Sequence, residues 1–380
     1  MSVSALQRRA REAHTWLFES CFPLWADHGM TAAGLFPEAL TRALDEAPGE
    51  VTRVRVQARQ TYVFTAAWQL GWKPDTAARL AEAGVSVISG PCLGTSGLAG
   101  RLLAADGSGL TDPTPDLYDT AFVLFALGEA ARGPGPRGPA LGAAAGVLAA
   151  LDREARDAVH GGYLEQLPPG PERLQNPHMH LLEACLALHA AAPQAGHLTR
   201  AGELIELFET KLTAGENHLL GERFAPDWSL LPGEASRMVE PGHQFEWVWL
   251  LHAYARAARM PVSPSAGRLY DFGLSTLDID GRAIQMAARG GAPIDASRRT
   301  WPQTEALKAH LAVFEASGDE RAAAAACRSF DVLMDEYLTE DGAWIDHYGA
   351  DGAVVAEQVP ASTGYHVVLA FCELIRVMNA

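Results

Sequence analysis

One design recurs six times along the 380 residues: a polar, titratable head that runs directly into an apolar helical stretch. The six stretches are Gln57 to Trp68, Leu117 to Leu127, Asn176 to Leu188, Pro241 to Tyr254, Trp301 to His310 and Ser362 to Phe371. With Arg59, Asp119, His180, His243, Gln303 and His366 as markers, successive separations are 60, 61, 63, 60 and 63 residues. A period that steady means one supersecondary unit repeated six times. A second, amphipathic helical pattern lies between the markers, over about 75–88, 139–155, 198–212, 266–277 and 320–338, with 4–25 preceding the first. These segments carry Arg, Glu and Asp on one side, as outer helices do. A linear solenoid is the competing arrangement, but its repeats usually run about 30 to 45 residues and its faces do not gather titratable heads. The pattern predicts an all-α ring of six helical hairpins, an (α/α)6 barrel. Residues 1–380 then form a single catalytic domain, with the heads converging at one end of the central cavity.

Composition agrees with helices, because Ala and Leu dominate and alternation of β-branched and aromatic residues is scarce. Gly/Pro-rich breaks such as 132–139 and 168–171 read as loops, and the longer stretches 214–240 and 279–300 are candidates for lids or short hairpins. Gly94-Thr-Ser-Gly-Leu-Ala-Gly matches no phosphate-binding loop and reads as a turn. The 30 Lys plus Arg against 46 Asp plus Glu give a net charge of −16, which repels phosphate backbones and argues against nucleic acid as a partner. Five cysteines without paired spacing are expected to be reduced and mostly buried. The N-terminal segment is amphipathic rather than uniformly apolar, and no apolar run reaches the roughly eighteen residues that span a bilayer. A soluble cytoplasmic protein without a membrane partner, monomeric or homodimeric, is expected.

Three of the thirteen histidines, His180, His243 and His366, fall on periodically equivalent heads. A single histidine at a helix start is most often a cap or a satisfied core group, but three at one end of a ring suit proton transfer near neutral pH. Two have the form His-x-x-Glu, His180 with Glu183 and His243 with Glu246, a spacing that sets a carboxylate beside each imidazole. The same pairing could bind a metal. Against it stand the lack of HExxH, of a cysteine pair and of a carboxylate cluster on the heads, so neither metal nor cofactor is expected. Arg59 has two open readings: a salt bridge to a neighbour such as Asp119, or a fixed cation that stabilises oxyanion charge. Tyr118, Trp247, Trp301 and Tyr365, with Phe122 one turn deeper, could line a sugar site, but most aromatic residues on such helices are core, and Phe122, Phe125 and Trp249 are assigned there. With Arg59 as the one strong cation among the heads, a free sugar is expected rather than a sugar phosphate.

The motifs Gln57-Ala-Arg-Gln-Thr-Tyr-Val-Phe, Tyr118-Asp-Thr-Ala-Phe, Asn176-Pro-His-Met-His-Leu-Leu-Glu-Ala, Pro241-Gly-His-Gln-Phe-Glu-Trp, Trp301-Pro-Gln-Thr-Glu-Ala and Tyr365-His366 resemble those of the N-acylglucosamine 2-epimerase family. That family comprises sugar epimerases and aldose–ketose isomerases, and the resemblance covers nearly the whole chain. It implies an (α/α)6 barrel, no metal and proton transfer next to a sugar carbonyl. Carried over motif by motif, His243 and His366 would be the acid/base pair, and Arg59, Asn176, His180 and Glu246 would bind hydroxyls, with Arg237 as a further contributor. The disaccharide epimerases of the family carry a tryptophan five residues before the final histidine and a Trp-Trp pair at the fifth inner helix. Here those positions are Ala361 and Thr300-Trp301, which favours a monosaccharide. The resemblance thus implies a mannose–fructose isomerase, with lyxose as a smaller substrate. The alternatives are a 2-epimerase of a monosaccharide or N-acyl hexosamine and, from another class, a glycoside hydrolase, which would need two carboxylic acids facing each other across the cavity.

Overall fold

The computed structural model describes residues 2–379. Its helices are α1 (Ser2–Trp16), α2 (Phe22–His28), α3 (Val54–Leu70), α4 (Pro74–Ile88), α5 (Leu117–Ala130), α6 (Arg137–Glu154), α7 (Gln175–Ala191), α8 (His197–Leu207), α9 (Pro241–Ala258), α10 (Pro264–Thr276), α11 (Thr300–Ser317), α12 (Glu320–Val332) and α13 (Gly364–Asn379). Helices α3, α5, α7, α9, α11 and α13 pack in succession, and α13 returns to α3, so the inner ring is closed. Outside it α4, α6, α8, α10 and α12 each pack on the inner helix before them, and α1 packs on α13. This is the (α/α)6 barrel that the 60-residue period predicts.

Apolar spacing separates the two layers. α4 buries Ala77, Leu80, Ala81, Gly84, Val87 and Ile88, one stripe of a helix that is otherwise wet. The inner α5 buries residues on every face, from Leu117 to Ala130. A Cβ on Gly128 would lie 2.9 Å from the backbone nitrogen of Leu188, so this glycine lets α5 and α7 approach closely. Outer helices α8 and α12 run on through single π turns at Phe208–Leu212 and Leu333–Tyr337, which is why their helical pattern extends to about 212 and 338. The five cysteines are unpaired, four of them buried. No helix among the described residues is long and apolar enough to cross a membrane.

The loops leading into the inner helices hold the ring together. Each inner helix is entered from an extended residue: Arg53, Asp116, Leu174, Glu240 and Arg299 for the first five, and Pro360 before the short turn that opens α13. The entry strands pair with those of the next unit around the ring, through five small antiparallel sheets and an Asp116–Gln166 bridge. The 279–300 stretch contributes a hairpin, Met286–Ala288 with Pro293–Asp295, to this girdle.

A second device repeats at the fourth residue of each of the first five inner helices. Gln57, Thr120, His178, Gln244 and Gln303 accept hydrogen bonds from the backbone N–H of Phe36, Ala99, Tyr163, Leu220 and Ala283, at 2.8–3.2 Å. These buried polar groups are therefore satisfied by the entry loops. Gln303, a marker in the sequence, is such a loop pin and faces away from the cavity.

Candidate active site

A cavity of about 290 Å³ opens where the inner helices begin, near the lower end of the range for small-molecule sites. Arg59, Tyr118, Asn176, His180, His243, Glu246, Trp301 and His366 all line it. Arg237 does not: it is exposed in the segment before α9. Among the aromatic residues, Trp247 and Tyr365 also lie off the wall, against expectation. Trp247 is buried, stacks on Phe208 and donates to Gln175 at 2.9 Å, while the Tyr365 hydroxyl donates to Glu183 at 2.6 Å.

His243 and Glu246 share a helix, but the carboxylate that holds His243 is another one. His243 Nδ1 lies 2.8 Å from Glu222 and 4.0 Å from Glu240. Glu222 also accepts from Gln175 Nε2 at 2.9 Å and from the Glu240 N–H at 3.0 Å, so its orientation is fixed. Burial opposes the imidazolium, yet Glu222 and Glu240 outweigh it and raise His243 to about 10. Glu222→Gln removes that nearest charge, so the alkaline limb of the kcat pH profile, near pH 10 in the parent, should move toward neutrality while the acidic limb stays. An unmoved alkaline limb would show that Glu222 does not keep the proton on His243.

His366 is held in the opposite state. Its Nδ1 lies 2.8 Å from Glu305 Oε1, and burial, reinforced by Arg59, Lys308 and His180, holds its pKa well below the ordinary value. Trp301 lies beside both rings, with centroids 5.0 Å from His243 and 5.9 Å from His366. A Cβ on Gly242 would come within 2.5 Å of the Trp301 ring, so the glycine at the start of α9 makes room for it. At neutral pH the site thus holds one charged and one neutral imidazole near a common aromatic wall, a split that suits an acid and a base.

His180 Nδ1 meets Glu183 at 3.1 Å, as its spacing predicts, and has Glu246 at 3.9 Å. Burial, then Arg59 and His243, keep it neutral. Burial also raises Glu183, to about 7, against the pull of Lys308 and the Tyr365 hydroxyl. Arg59 is not the partner of Asp119; Arg55 is, at 2.8 Å. The Arg59 guanidinium lies 4.1 Å over Phe122, donates to the Tyr118 hydroxyl at 2.8 Å and to the Ser362 carbonyl at 3.2 Å, and keeps Nε without a partner. Asn176 Oδ1 and Glu246 Oε1 also lack hydrogen-bond partners. All three residues line the cavity, so its wall is strongly polar.

Charge on the wall departs from the expectation of a single strong cation, since Arg53, Arg55 and Arg299 also line the cavity. Glu38, Asp119 and Asp346 pair with them in turn. Among the described residues, two groups have ligand atoms close enough to share a cation, His180 with Glu183 and Glu246, and Glu222 with Glu240 and His243. In each, the histidine is already hydrogen-bonded to a carboxylate of the group.

Sequence reasoning missed Glu222 and Glu305. Glu222 sits in a loop with no periodic signal. Glu305 had one: counted from the helix starts, Arg59, Phe122, His180, Glu246 and Glu305 are each the sixth residue of an inner helix. Alignment of helix starts would have placed Glu305 among the inward positions.

Comparisons with known proteins establish the family and the fold. The chain is 35% identical over 382 residues to the mannose-6-phosphate isomerase of Rhizobium meliloti (strain 1021), with 96% of each chain covered. Among solved structures it is similar to the cellobiose 2-epimerase of Spirochaeta thermophila DSM 6192, with a TM-score of 0.88, 22% identity and coverage of 98% and 97%. It is likewise similar to a D-mannose isomerase, with a TM-score of 0.85, 21% identity and coverage of 98% and 97%. At those identities the two structures establish the shared fold. The family model for N-acylglucosamine 2-epimerase (GlcNAc 2-epimerase) matches residues 35–370, and the chain belongs to that family of sugar epimerases and isomerases.

Proposed function

We propose that this enzyme is a metal-independent aldose–ketose isomerase that interconverts D-mannose and D-fructose, and the smaller pair D-lyxose and D-xylulose. The observation that carries the reading is the pair of buried histidines beside Trp301, His243 charged and His366 neutral. His243 protonates the ring oxygen as the sugar opens and is reprotonated from the anomeric hydroxyl, whose oxygen becomes the C1 carbonyl. His366, with Nδ1 directed at Glu305, uses Nε2 to take the C2 hydrogen as a proton. The electron pair moves onto the C1 carbonyl oxygen, and the charge of the enediolate so formed lies toward Arg59 until His243 gives that oxygen a proton, leaving a neutral enediol. His366 then returns its proton to C1 while His243 recovers one from the C2 oxygen. Asn176, His180, Glu246 and Tyr118 hold hydroxyls of the open chain. Buried Ala361 and the small cavity favour one sugar ring over two.

Two variants of this reading have specific support. A charged His243 could instead protonate C2 from the opposite face, giving a 2-epimerase. The guanidinium groups of Arg53 and Arg299, although paired with Glu38 and Asp346, and the name of the Rhizobium meliloti relative support a 6-phosphate ester as the second reading beside the free sugar. Family membership decides against a glycoside hydrolase. The test is incubation of mannose and of mannose 6-phosphate with chelator-dialysed enzyme, followed by NMR. The ketose at an undiminished rate is expected; glucose or its phosphate would make the enzyme an epimerase, and activity lost on dialysis and restored by a metal would overturn metal independence.

A further inference from the structure

Lys308, two turns into α11, is fully buried, and the reaction above gives it no part. Its Nζ lies 2.6 Å from Glu305 Oε2, a close ion pair out of line for a hydrogen bond, while Glu305 Oε1 holds His366. The ammonium also sits 4.0 Å over the Trp249 ring of α9. The charged and titratable groups that interact with it are Glu305 of its own helix, Glu246 from α9, Glu183 and His180 from α7 and His366 from α13, and His243, Tyr365 and Arg59 act in turn on Glu246, Glu183 and His180. Three carboxylates thus share one buried cation. A buried ammonium is too costly to keep for packing alone, and this one stands directly behind the carboxylate of the base.

We propose that Lys308 is a positioning residue that keeps Glu305 ionised, so that Glu305 can only accept the Nδ1–H of His366 and leaves Nε2 free as the base. An ionised carboxylate has no proton to donate, so the imidazole must present its Nδ1–H to it. Without the cation, burial favours the protonated acid. Glu305 then becomes a donor, Nδ1 the acceptor, and the single proton of neutral His366 moves to Nε2, where it blocks the reaction. The inference rests on the isomerase reading for its kinetic consequence and on the geometry alone for the tautomer.

The first test is therefore ¹⁵N NMR of the imidazoles in the unaltered protein. It should report His366 at pH 7 with the proton on Nδ1 and Nε2 bare; a proton on Nε2 overturns the proposal whether or not the protein isomerises any sugar. The second is Lys308→Met, which should lower kcat about 10²–10⁴-fold with little change in KM. Its activity should recover as pH rises and Glu305 ionises. In a Glu305→Gln background the same substitution should cost little further. A loss equal at every pH, or additive with Glu305→Gln, would reduce Lys308 to a structural residue. Should Lys308→Met fail to fold, the NMR result decides. Failure of the isomerase reading is seen separately, as no ketose from either sugar with the unaltered enzyme.

Discussion

His366→Ala should reduce conversion of mannose to fructose by about 10²–10⁴-fold, the usual contribution of a positioned base. The loss should appear in kcat more than in KM, because in the proposed mechanism His366 acts on the C2 hydrogen while Asn176, His180 and Glu246 hold the sugar. The fold should survive. Glu305 loses one hydrogen bond but keeps Lys308 at 2.6 Å, so no uncompensated charge is left inside. Kinetics together with a melting curve check this: a variant that melts with the parent and turns over at the parental rate removes His366 from the mechanism.

Arg59→Lys should cost about 10²–10³-fold in kcat, the scale measured for a lost oxyanion donor. Charge is conserved, so the effect isolates geometry. Arg59 reaches Tyr118 and the Ser362 carbonyl with its two terminal nitrogens while its plane lies over Phe122. Lysine presents a point charge with no fixed fork and cannot hold both partners and face a substrate oxygen at once. Tyr118 and Ser362 should keep their places through their own helices, so stability should change little. If Arg59 served only as a positive charge, lysine would substitute with nearly full activity.

The ring itself was legible because hydrophobic period and marker spacing survive any choice of side-chain partner. Six inner and six outer segments recur at 60 to 63 residues, and closure of α13 on α3 follows from that count. His243, His366, Arg59 and Trp301 were legible for the same reason: they sit on helix starts. What was not legible depends on loops. Glu222 reaches His243 from 21 residues away through a segment with no period, and the carboxylate expected there, Glu246, turns toward His180 instead. The strand girdle was also hidden, since pairings of two or three residues carry too little alternation to read. Gln303 shows the reverse error: a polar residue at the right spacing whose hydrogen bonds go outward to Ala283 and Gly281. Arg53 and Arg299 were not legible because each lies one residue before a helix starts, ahead of the polar heads that carry the period.

Removal of the hydrogen at C2 by His366 is tested most directly with mannose carrying deuterium at that carbon, incubated with the unaltered enzyme and with His366→Ala, and followed by NMR. The expected result is fructose from the unaltered enzyme, with the label moved to C1 or lost to solvent, and mannose with its label intact from the variant. Label stripped from C2 as fast by His366→Ala as by the parent would contradict the account.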